Sequence, residues 1–485
     1  VTLAELAAAC GASLRGADAD ATGITHVAQS ARPGWVFAAL PGAKHHGIEF
    51  AAEARERGAA AVLSDRDPGI DTAWLAVPDS RRAAALAAWA LAGHPERRLR
   101  MVGITGTNGK STVADLVGRI ATAAGVAHGV FGTITYALPG RNERSVRTTP
   151  EATDLAPLLA ELADAGGQAA IMEVSSHALS LDRVAGLEFD VAVWTNLTRD
   201  HLDFHHDLEE YFAVKQRLAD LLRRTPPGRR VIGTDDPFMA RLAESPRPGD
   251  LTFGLGPGCA VTAHETSPSL EGTAFVLRTP TAEVPARLPL VGTHNLRNAL
   301  AAAASATALG WPLDAVVRGL ANAEPLPGRL EPVTAGTQFP VFVDYAHTPD
   351  ALEQVLQALR QVGEWRLVVV FGCGGDRDPG KRAPMGEVVG RLADVPIVTS
   401  DNPRSEDPQA IVDAVMDGVR ASGNPRALAI SDRREAIAAA LSLADERCLV
   451  LIAGKGHETE QIFADRTVPF DDRLVVRELA RRRGA

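Results

Sequence analysis

Arg100-Met101-Val102-Gly103-Ile104-Thr105-Gly106-Thr107-Asn108-Gly109-Lys110-Ser111-Thr112 is the stretch that decides the fold. It begins as an apolar strand, passes through a Gly-rich loop and opens a helix at Lys110-Ser111-Thr112. That order is what a phosphate-binding loop requires, because backbone N–H groups and a helix N-terminus then face the anion. Lys110 is expected to reach the β- and γ-phosphates of a nucleotide, and the Ser111 hydroxyl to ligate Mg²⁺. The common P-loop pattern places a glycine five residues before Gly109, where this chain has Ile104. The additional glycine is Gly106, which points to a narrower class of P-loop enzyme.

Outward from the loop, strands and helices alternate. The runs 169–174 and Val191–Trp194 are continuously apolar, as parallel strands buried on both faces are. A further α/β stretch begins near Pro325-Leu326-Pro327-Gly328, with strands at Val341-Phe342-Val343, 367–371, Ile397-Val398-Thr399 and 448–452. Before the loop, strand-like runs at 35–40, 59–63 and 74–77 mix with Ala-rich helical runs, and 93–98 reads as a linker. A chain of 485 residues is too long for one core. The expectation is an α/β protein of three domains. An N-terminal α/β domain spans 1–95, a central P-loop domain with a parallel sheet 96–326, and a C-terminal Rossmann-like domain 327–485.

Composition narrows the function classes. A net charge of −10 argues against nucleic acid as the main partner. The Arg481-Arg482-Arg483 run reads as a solvated tail. Cys10, Cys259, Cys373 and Cys448 are scattered and form no Cys-x-x-Cys pair, so neither a disulfide framework nor a zinc site is expected. Val1-Thr2-Leu3-Ala4-Glu5 lacks the basic start of a signal peptide. The apolar runs 83–92 and 299–310 are too short and Ala-rich to span a bilayer and read as buried helices. A cytoplasmic, non-membrane protein, monomeric, is the expectation.

Other residues carry chemistry of their own. Glu173 ends an apolar strand and is placed to hold a nucleotide's Mg²⁺ with Ser111, the lesser alternative being that it caps the next helix. His201 follows the strand Val191–Trp194, at the sheet edge where open α/β folds place ligands. A lone histidine is usually structural, but the cluster Asp200-His201-x-Asp203-x-His205-His206 favours a metal-side role. Lys215, in the helical run Tyr211-Phe212-Ala213-Val214-Lys215-Gln216, reads by itself as a solvated lysine. His294-Asn295-x-x-Asn298 opens an Ala-rich helix, where its amides could read a base or cap the helix.

The loop Thr105-Gly106-Thr107-Asn108-Gly109-Lys110-Ser111 resembles the ATP loop of the Mur ligases and the related folylpolyglutamate synthetases. Further motifs agree in order and spacing. They are Thr148-Thr149-Pro150, Glu173-Val174-Ser175-Ser176-His177, Thr195-Asn196-Leu197-Thr198-Arg199-Asp200-His201-Leu202-Asp203, Lys215, and Gly292-Thr293-His294-Asn295-Leu296-Arg297-Asn298. Pro327-Gly328-Arg329 and Asp344-Tyr345-Ala346-His347-Thr348-Pro349 complete the set, which covers essentially the whole chain. The resemblance implies that Gly106, Thr107, Asn108, Gly109, Lys110, Ser111 and Thr112 cradle ATP, and that His294, Asn295 and Asn298 read adenine. It sets Arg329 and Asp344 against the nucleotide's phosphate and ribose. It also implies that Ser111, Glu173, His201 and a CO₂-derived carbamate on Lys215 ligate Mg²⁺. A desolvated lysine of lowered pKa can react with CO₂, and a carbamate oxygen suits a hard cation. Thr148, Thr149, Ser175 and Arg183 match residues that hold a UDP-muramyl dipeptide; Leu181 stands where the family often has glutamine. Gln29, Ser30, Ala43, Lys44 and His45 fall where the uridine end belongs, although many relatives have Asp-Ser-Arg near 29–31.

Within the family the resemblance is to the branch that adds the third residue of the peptidoglycan stem peptide. It rests on Gly374-Gly375-Asp376-Arg377-Asp378, Asp401-Asn402-Pro403-Arg404 and Gly454-Lys455-Gly456-His457-Glu458. The implied amino-acid site is Arg377, Asp401, Asn402, Pro403, Arg404, Gly454 and Glu458. Arg404 as the grip on a far carboxylate favours meso-2,6-diaminopimelate over L-lysine or L-ornithine. The implied acceptor is the D-glutamate γ-carboxylate of UDP-MurNAc-L-Ala-D-Glu, activated by ATP as an acyl phosphate. A folylpolyglutamate synthetase should lack the first domain and the Asn402-Pro403-Arg404 pocket. A P-loop regulatory NTPase is the other alternative, but the guanine-reading Asn-Lys-x-Asp motif is absent.

Overall fold

The computed structural model describes residues 1–42, 45–202, 204–333 and 336–484. Three α/β units follow one another along the chain. In the first, strands Ser13–Arg15, Ala73–Ala76, Ala61–Ser64, Trp35–Ala38 and Gly23–Thr25 form a five-stranded sheet in that spatial order. Only Ser13–Arg15 runs antiparallel to its neighbour. Its helix Ser80–Leu91 is anchored on the second unit: Trp89 is 1% exposed, and its indole N–H donates to the Ala185 carbonyl at 2.8 Å. The run 93–98, read as a linker, holds instead a short 3-10 helix, Pro95–Arg98, in which Pro95 and Glu96 are buried.

The second unit is built on an eight-stranded sheet. Arg100–Thr105 lies at its centre, between Ala169–Glu173 and Val191–Trp194, parallel to both. Alternate residues of these strands enter opposite cores, since successive side chains of a strand point to opposite faces. Met101, Met172 and Trp194 pack on one face, Val102, Ile104, Ile171 and Val193 on the other. Both faces are covered, which is why the strands read as unbroken apolar runs. The chain leaves Arg100–Thr105 toward one side of the sheet, to His128–Phe131, and leaves the neighbouring Ala169–Glu173 toward the other, to Val191–Trp194, so the crevice at the carboxyl ends of these two strands is where such a fold binds a ligand. Two features add to the parallel sheet expected from sequence. An antiparallel hairpin, Thr135–Leu138 and Arg141–Arg144, extends its edge, and Thr262–Ser269, Gly272–Arg278 and Glu283–Leu288 form a separate antiparallel sheet.

The third unit has a six-stranded sheet in the order Glu331–Pro332, Val341–Asp344, Cys448–Ala453, Arg366–Phe371, Val395–Val398, Leu428–Ala429. All pairings are parallel except that of the first edge strand, as in a Rossmann-like unit. Among the described residues no helix is long and apolar enough to cross a membrane.

Candidate active site

The loop after the central strand is shaped by two glycines. Gly106 has φ 151° and Gly109 φ 86°, and a Cβ at Gly109 would stand 2.3 Å from Asn298 Oδ1. The neighbouring strand's exit clamps the loop. Thr195 Oγ1 donates to the Asn108 carbonyl at 2.8 Å, and Asn196 Oδ1 accepts the Asn108 N–H at 2.8 Å. Helix Lys110–Ala123 has no side-chain cap, so its first N–H groups point into the crevice. Lys110 Nζ folds over the loop, donating to the carbonyls of Gly106 and Thr107, both at 2.9 Å. Burial lowers the Lys110 pKa, opposed by Glu173 and Asp200.

Glu173 is 1% exposed and does not cap the following helix, a task that Ser175 performs. One carboxylate oxygen accepts the Thr133 N–H at 2.8 Å, the other the Thr133 hydroxyl at 3.0 Å. Lys215 departs from its plain sequence reading: it is 1% exposed, not solvated. Its Nζ donates to the Gly106 carbonyl at 2.9 Å and lies 4.4 Å from the Tyr211 ring centre. Desolvation, reinforced by the Lys110 cation, takes its pKa well below the ordinary lysine value. His201, at φ 54°, stands edge-on to His177 with ring centres 5.0 Å apart. Burial drives its pKa down to about 4 against the pull of Asp200, so the imidazole is neutral. Of the His-rich cluster, His205 turns inward, bonding the Ser176 hydroxyl and stacking on Tyr211, and Asp203 lies outside the described residues. No group of three His, Cys, Asp or Glu among the described residues forms a metal cage.

One cleft of about 230 Å³ gathers the loop, Glu173, His201, His294, Asn295, Asn298, Thr148, Ser175, Arg329 and Asp344. Asn295 does not cap its helix. Its amide donates to the Val291 carbonyl at 2.9 Å and accepts from Asn298 at 3.3 Å. His294 is held neutral by burial, with a pKa of about 4. Arg329 lies over the Tyr345 ring at 4.7 Å, and burial pushes the Tyr345 hydroxyl up to about 12. Asp344 accepts the N–H groups of Leu330 at 2.6 Å and Ala346 at 2.7 Å; burial raises its pKa against the Arg329 charge.

Thr149 Oγ1 donates to the Glu173 carbonyl at 2.8 Å, and Arg183 donates to the Thr149 carbonyl at 3.2 Å. Arg183 belongs to a cluster that sequence reasoning missed: Arg81, Arg147 and Arg183 stand 3.6, 3.0 and 2.9 Å from the buried Glu151 carboxylate. Arg81 comes from the first unit, so the cluster ties the two units together beside Thr149. Gln29 bonds Glu53 at 2.8 Å, Ser30 is exposed, and His45 pairs with Glu49 at 3.1 Å; none of the three lines the cleft. Ala43 and Lys44 lie outside the described residues.

A second cavity, of about 230 Å³, is lined by Gly374, Arg377, Asp378, Lys381, Asp401, Asn402, Arg404, Gly454 and Glu458. Pro403 is not on its lining; its carbonyl packs where a Cβ on Gly375 would reach 2.0 Å. Arg404 pairs with neither nearby acid. Glu406 is taken by Arg382 at 2.8 Å, and Arg404 donates to the Gly375 carbonyl at 2.6 Å. Lys455, also unassigned from sequence, is 0% exposed and donates to Asn402 Oδ1 at 3.0 Å and Glu458 Oε2 at 3.1 Å. With the Ile462 N–H also on Oδ1, the Asn402 amide is fixed so that Nδ2 meets Glu458 Oε2 at 2.7 Å. Asp200, His201, Tyr345 and His347 line both cavities.

Three family descriptions match the chain in series: "Mur ligase family, catalytic domain" over residues 20–94, "Mur ligase middle domain" over 104–306, and "Mur ligase, glutamate ligase domain" over 328–456. The UDP-N-acetylmuramoyl-L-alanyl-D-glutamate–2,6-diaminopimelate ligase of Solibacter usitatus is 44% identical over 465 residues, 96% of this chain and 94% of that one. The Streptomyces coelicolor protein of the same name is 43% identical over 490 residues, covering 98% and 96%. A solved structure of a ligase of that name superposes with a TM-score of 0.67 at 32% identity, covering 96% of each chain.

Proposed function

The chain belongs to the Mur ligase family, and from that premise we propose that it adds meso-2,6-diaminopimelate to UDP-MurNAc-L-Ala-D-Glu, using ATP, in peptidoglycan precursor synthesis. The observation that carries the reading is the shared wall. The P-loop cleft and a cavity holding two arginines, a lysine, two aspartates and a glutamate meet at Asp200, His201, Tyr345 and His347. An acyl phosphate made on one side then faces an amine delivered from the other. The units are taken as 1–95 for the UDP end, 96–326 for ATP and 327–485 for the amino acid.

The roles follow from position. The loop amides and Lys110 hold the ATP phosphates and neutralise charge on the transferring group. His294, Asn295 and Asn298 read adenine, and Arg329 and Asp344 hold phosphate and ribose. Thr148, Thr149, Ser175 and Arg183 orient the dipeptide so that its γ-carboxylate attacks the γ-phosphate. The fit to Mg²⁺ rests on hard oxygen donors: Ser111, Glu173 and a carbamate on Lys215, with His201 alongside. Mg²⁺ takes few protein ligands besides substrate phosphates, and there it would supply charge neutralisation. The burial of the Lys215 amine supports the carbamate, since the neutral amine is the form that adds CO₂. Gln29, Ser30 and His45, with Lys44 and Ala43, are assigned the uridine end. Arg377 and Arg404 match the two carboxylates of diaminopimelate, Asp401 and Glu458 its ammonium groups. L-Lysine and L-ornithine lack the far carboxylate and would leave one arginine unpaired.

The test measures ADP release with UDP-MurNAc-L-Ala-D-Glu and each of meso-diaminopimelate, L-lysine and L-ornithine. Sustained release should require both the dipeptide and diaminopimelate. Release with ATP alone would overturn the ligase reading, and preference for lysine or ornithine would overturn the substrate.

A further inference from the structure

Among the described residues, none forms an ion pair or hydrogen bond with the Lys381 ammonium. Lys381 closes the short 3-10 helix Pro379–Lys381, whose preceding residue, Asp378, caps it through Gly380 N–H at 2.8 Å. The residue is 8% exposed, and it lines the second cavity. The other charged groups there are committed or match the incoming amino acid. Asp378 pairs with Arg199 at 3.2 Å, Asp200 lies on the wall shared with the P-loop cleft, and Arg377, Arg404, Asp401 and Glu458, the last also holding Lys455 at 3.1 Å, face the ligand's own groups. Among the described residues no carboxylate lies within ion-pair distance of Lys381, and no hydrogen bond of its ammonium is found. Its charge nevertheless bears on Asp200 and His347, two of the four residues on the wall common to both cavities.

A buried cation with no carboxylate in contact is costly to a fold, because a charge farther off, such as Asp200, repays only part of its desolvation. Such a group is kept where an anion arrives only during function. Matching two arginines to two carboxylates leaves Lys381 over, and its charge acts on Asp200 and His347, which lie on the wall where the cavities meet. Resting on the ligase reading above, we propose that Lys381 is a catalytic residue of the amide-forming step, holding the negative charge that builds on the reacting acyl group and its departing phosphate. In that step the amine lone pair attacks the acyl carbon and the C–N bond forms. The carbonyl oxygen becomes an oxyanion. On its collapse the C–O bond to phosphorus breaks, phosphate leaves with the electron pair, and the surplus amine proton passes to the phosphate. The Lys381 ammonium donates to the oxyanion and to the phosphate oxygens, contributing most where charge is greatest.

The experiment compares wild type with Lys381→Met, Lys381→Gln and Lys381→Arg, using ATP, UDP-MurNAc-L-Ala-D-Glu and meso-diaminopimelate. Removing an unpaired buried charge should leave the melting temperature unchanged or raise it. The two neutral variants should lose on the order of 10²-fold in kcat, with KM for the amino acid within about threefold. Rapid quenching should show a first-turnover burst of ADP, as in wild type, followed by slow amide formation, with the acyl phosphate trapped by hydroxylamine. Lys381→Arg should recover at least tenfold over the neutral variants. A rise in KM with kcat kept would make Lys381 a carboxylate-binding residue, and loss of the ADP burst would place it in phosphoryl transfer. Either result, unaltered kinetics, or unfolding of both neutral variants overturns the proposal. Failure of the wild type to turn over on these substrates would instead overturn the ligase reading.

Discussion

Replacing Lys215 by methionine separates a structural lysine from a chemical one. The side chain is 1% exposed, with one hydrogen bond, to the Gly106 carbonyl at 2.9 Å, and one ring contact, to Tyr211 at 4.4 Å. Losing that hydrogen bond costs about 0.5–1.5 kcal/mol net. Methionine keeps the volume, and no buried amine remains to be desolvated, which offsets part of the loss. Stability should therefore change by no more than about 1 kcal/mol, a few degrees in melting temperature. Activity should respond on another scale. If the amine carries a carbamate, the variant lacks a hard oxygen donor beside the phosphates, and kcat should fall on the order of 10²–10³-fold. Short carboxylic acids should restore part of it by supplying the missing oxygen, and depleting CO₂ should lower wild-type activity only. Steady-state ADP release with and without acetate or formate, next to a melting curve, provides the reading. A variant that keeps near-normal kcat, or one whose loss is matched by unfolding, would refute the reasoning.

Gly109→Ala should weaken ATP binding at least about tenfold by calorimetric titration, because φ 86° is costly for an L-residue and its Cβ would stand 2.3 Å from Asn298 Oδ1. Affinity within twofold of wild type would show that the loop is not held this way. Arg404→Ala should raise KM for meso-diaminopimelate by at least about tenfold, roughly 1.4 kcal/mol, and narrow the preference over lysine; unchanged selectivity would remove Arg404 from the substrate site. His294, lowered from 6.5 to about 4 by burial, refuses a proton that the unfolded chain accepts. Its contribution is full above pH 6.5 and is lost as pH falls toward 4, by up to about 3 kcal/mol. Melting curves across that range should slope less for His294→Leu than for wild type, and equal slopes would count against the buried neutral imidazole.

What could be read from sequence divides along physical lines. The loop 106–112 is legible because its glycines and its strand-to-helix setting answer a backbone requirement that few sequences meet. The parallel strands are legible because burial on both faces forces unbroken apolar runs. Lys215 was not legible as a buried group from its own residue type, yet a signal existed. Tyr211 and Lys215 are four residues apart, so they share the inward face of helix Leu208–Gln216. The Arg81–Glu151–Arg147–Arg183 cluster is not legible as a cluster, since Arg81 and Arg183 come from other elements and reach Glu151 only through packing. The sheet 262–288 escaped because its first strand is largely exposed and its register shifts between His264 and Ser267. The run 93–98 looked like a linker from its glycine, proline and charges, but Glu96 is 2% exposed and fixed by His94 at 3.0 Å.

The division of the site between units explains why no single motif carries the reaction. Asn108 is held by its backbone to Thr195 and Asn196 of the second unit, while its amide donates to Asp350 of the third at 3.0 Å. Arg199, just before the His201 corner, reaches Asp378 beside Lys381 at 3.2 Å. These links bind the Gly-rich loop and the His201 corner directly to the third unit. Any shift of the third unit must therefore pull on the Gly-rich loop and on the corner that carries Asp200 and His201. Both halves of the reaction site then move as one, and the wall shared by the two cavities is formed only when second and third units are in contact. An acyl phosphate is hydrolysed readily in water, so a site assembled by that contact protects it where the amine arrives.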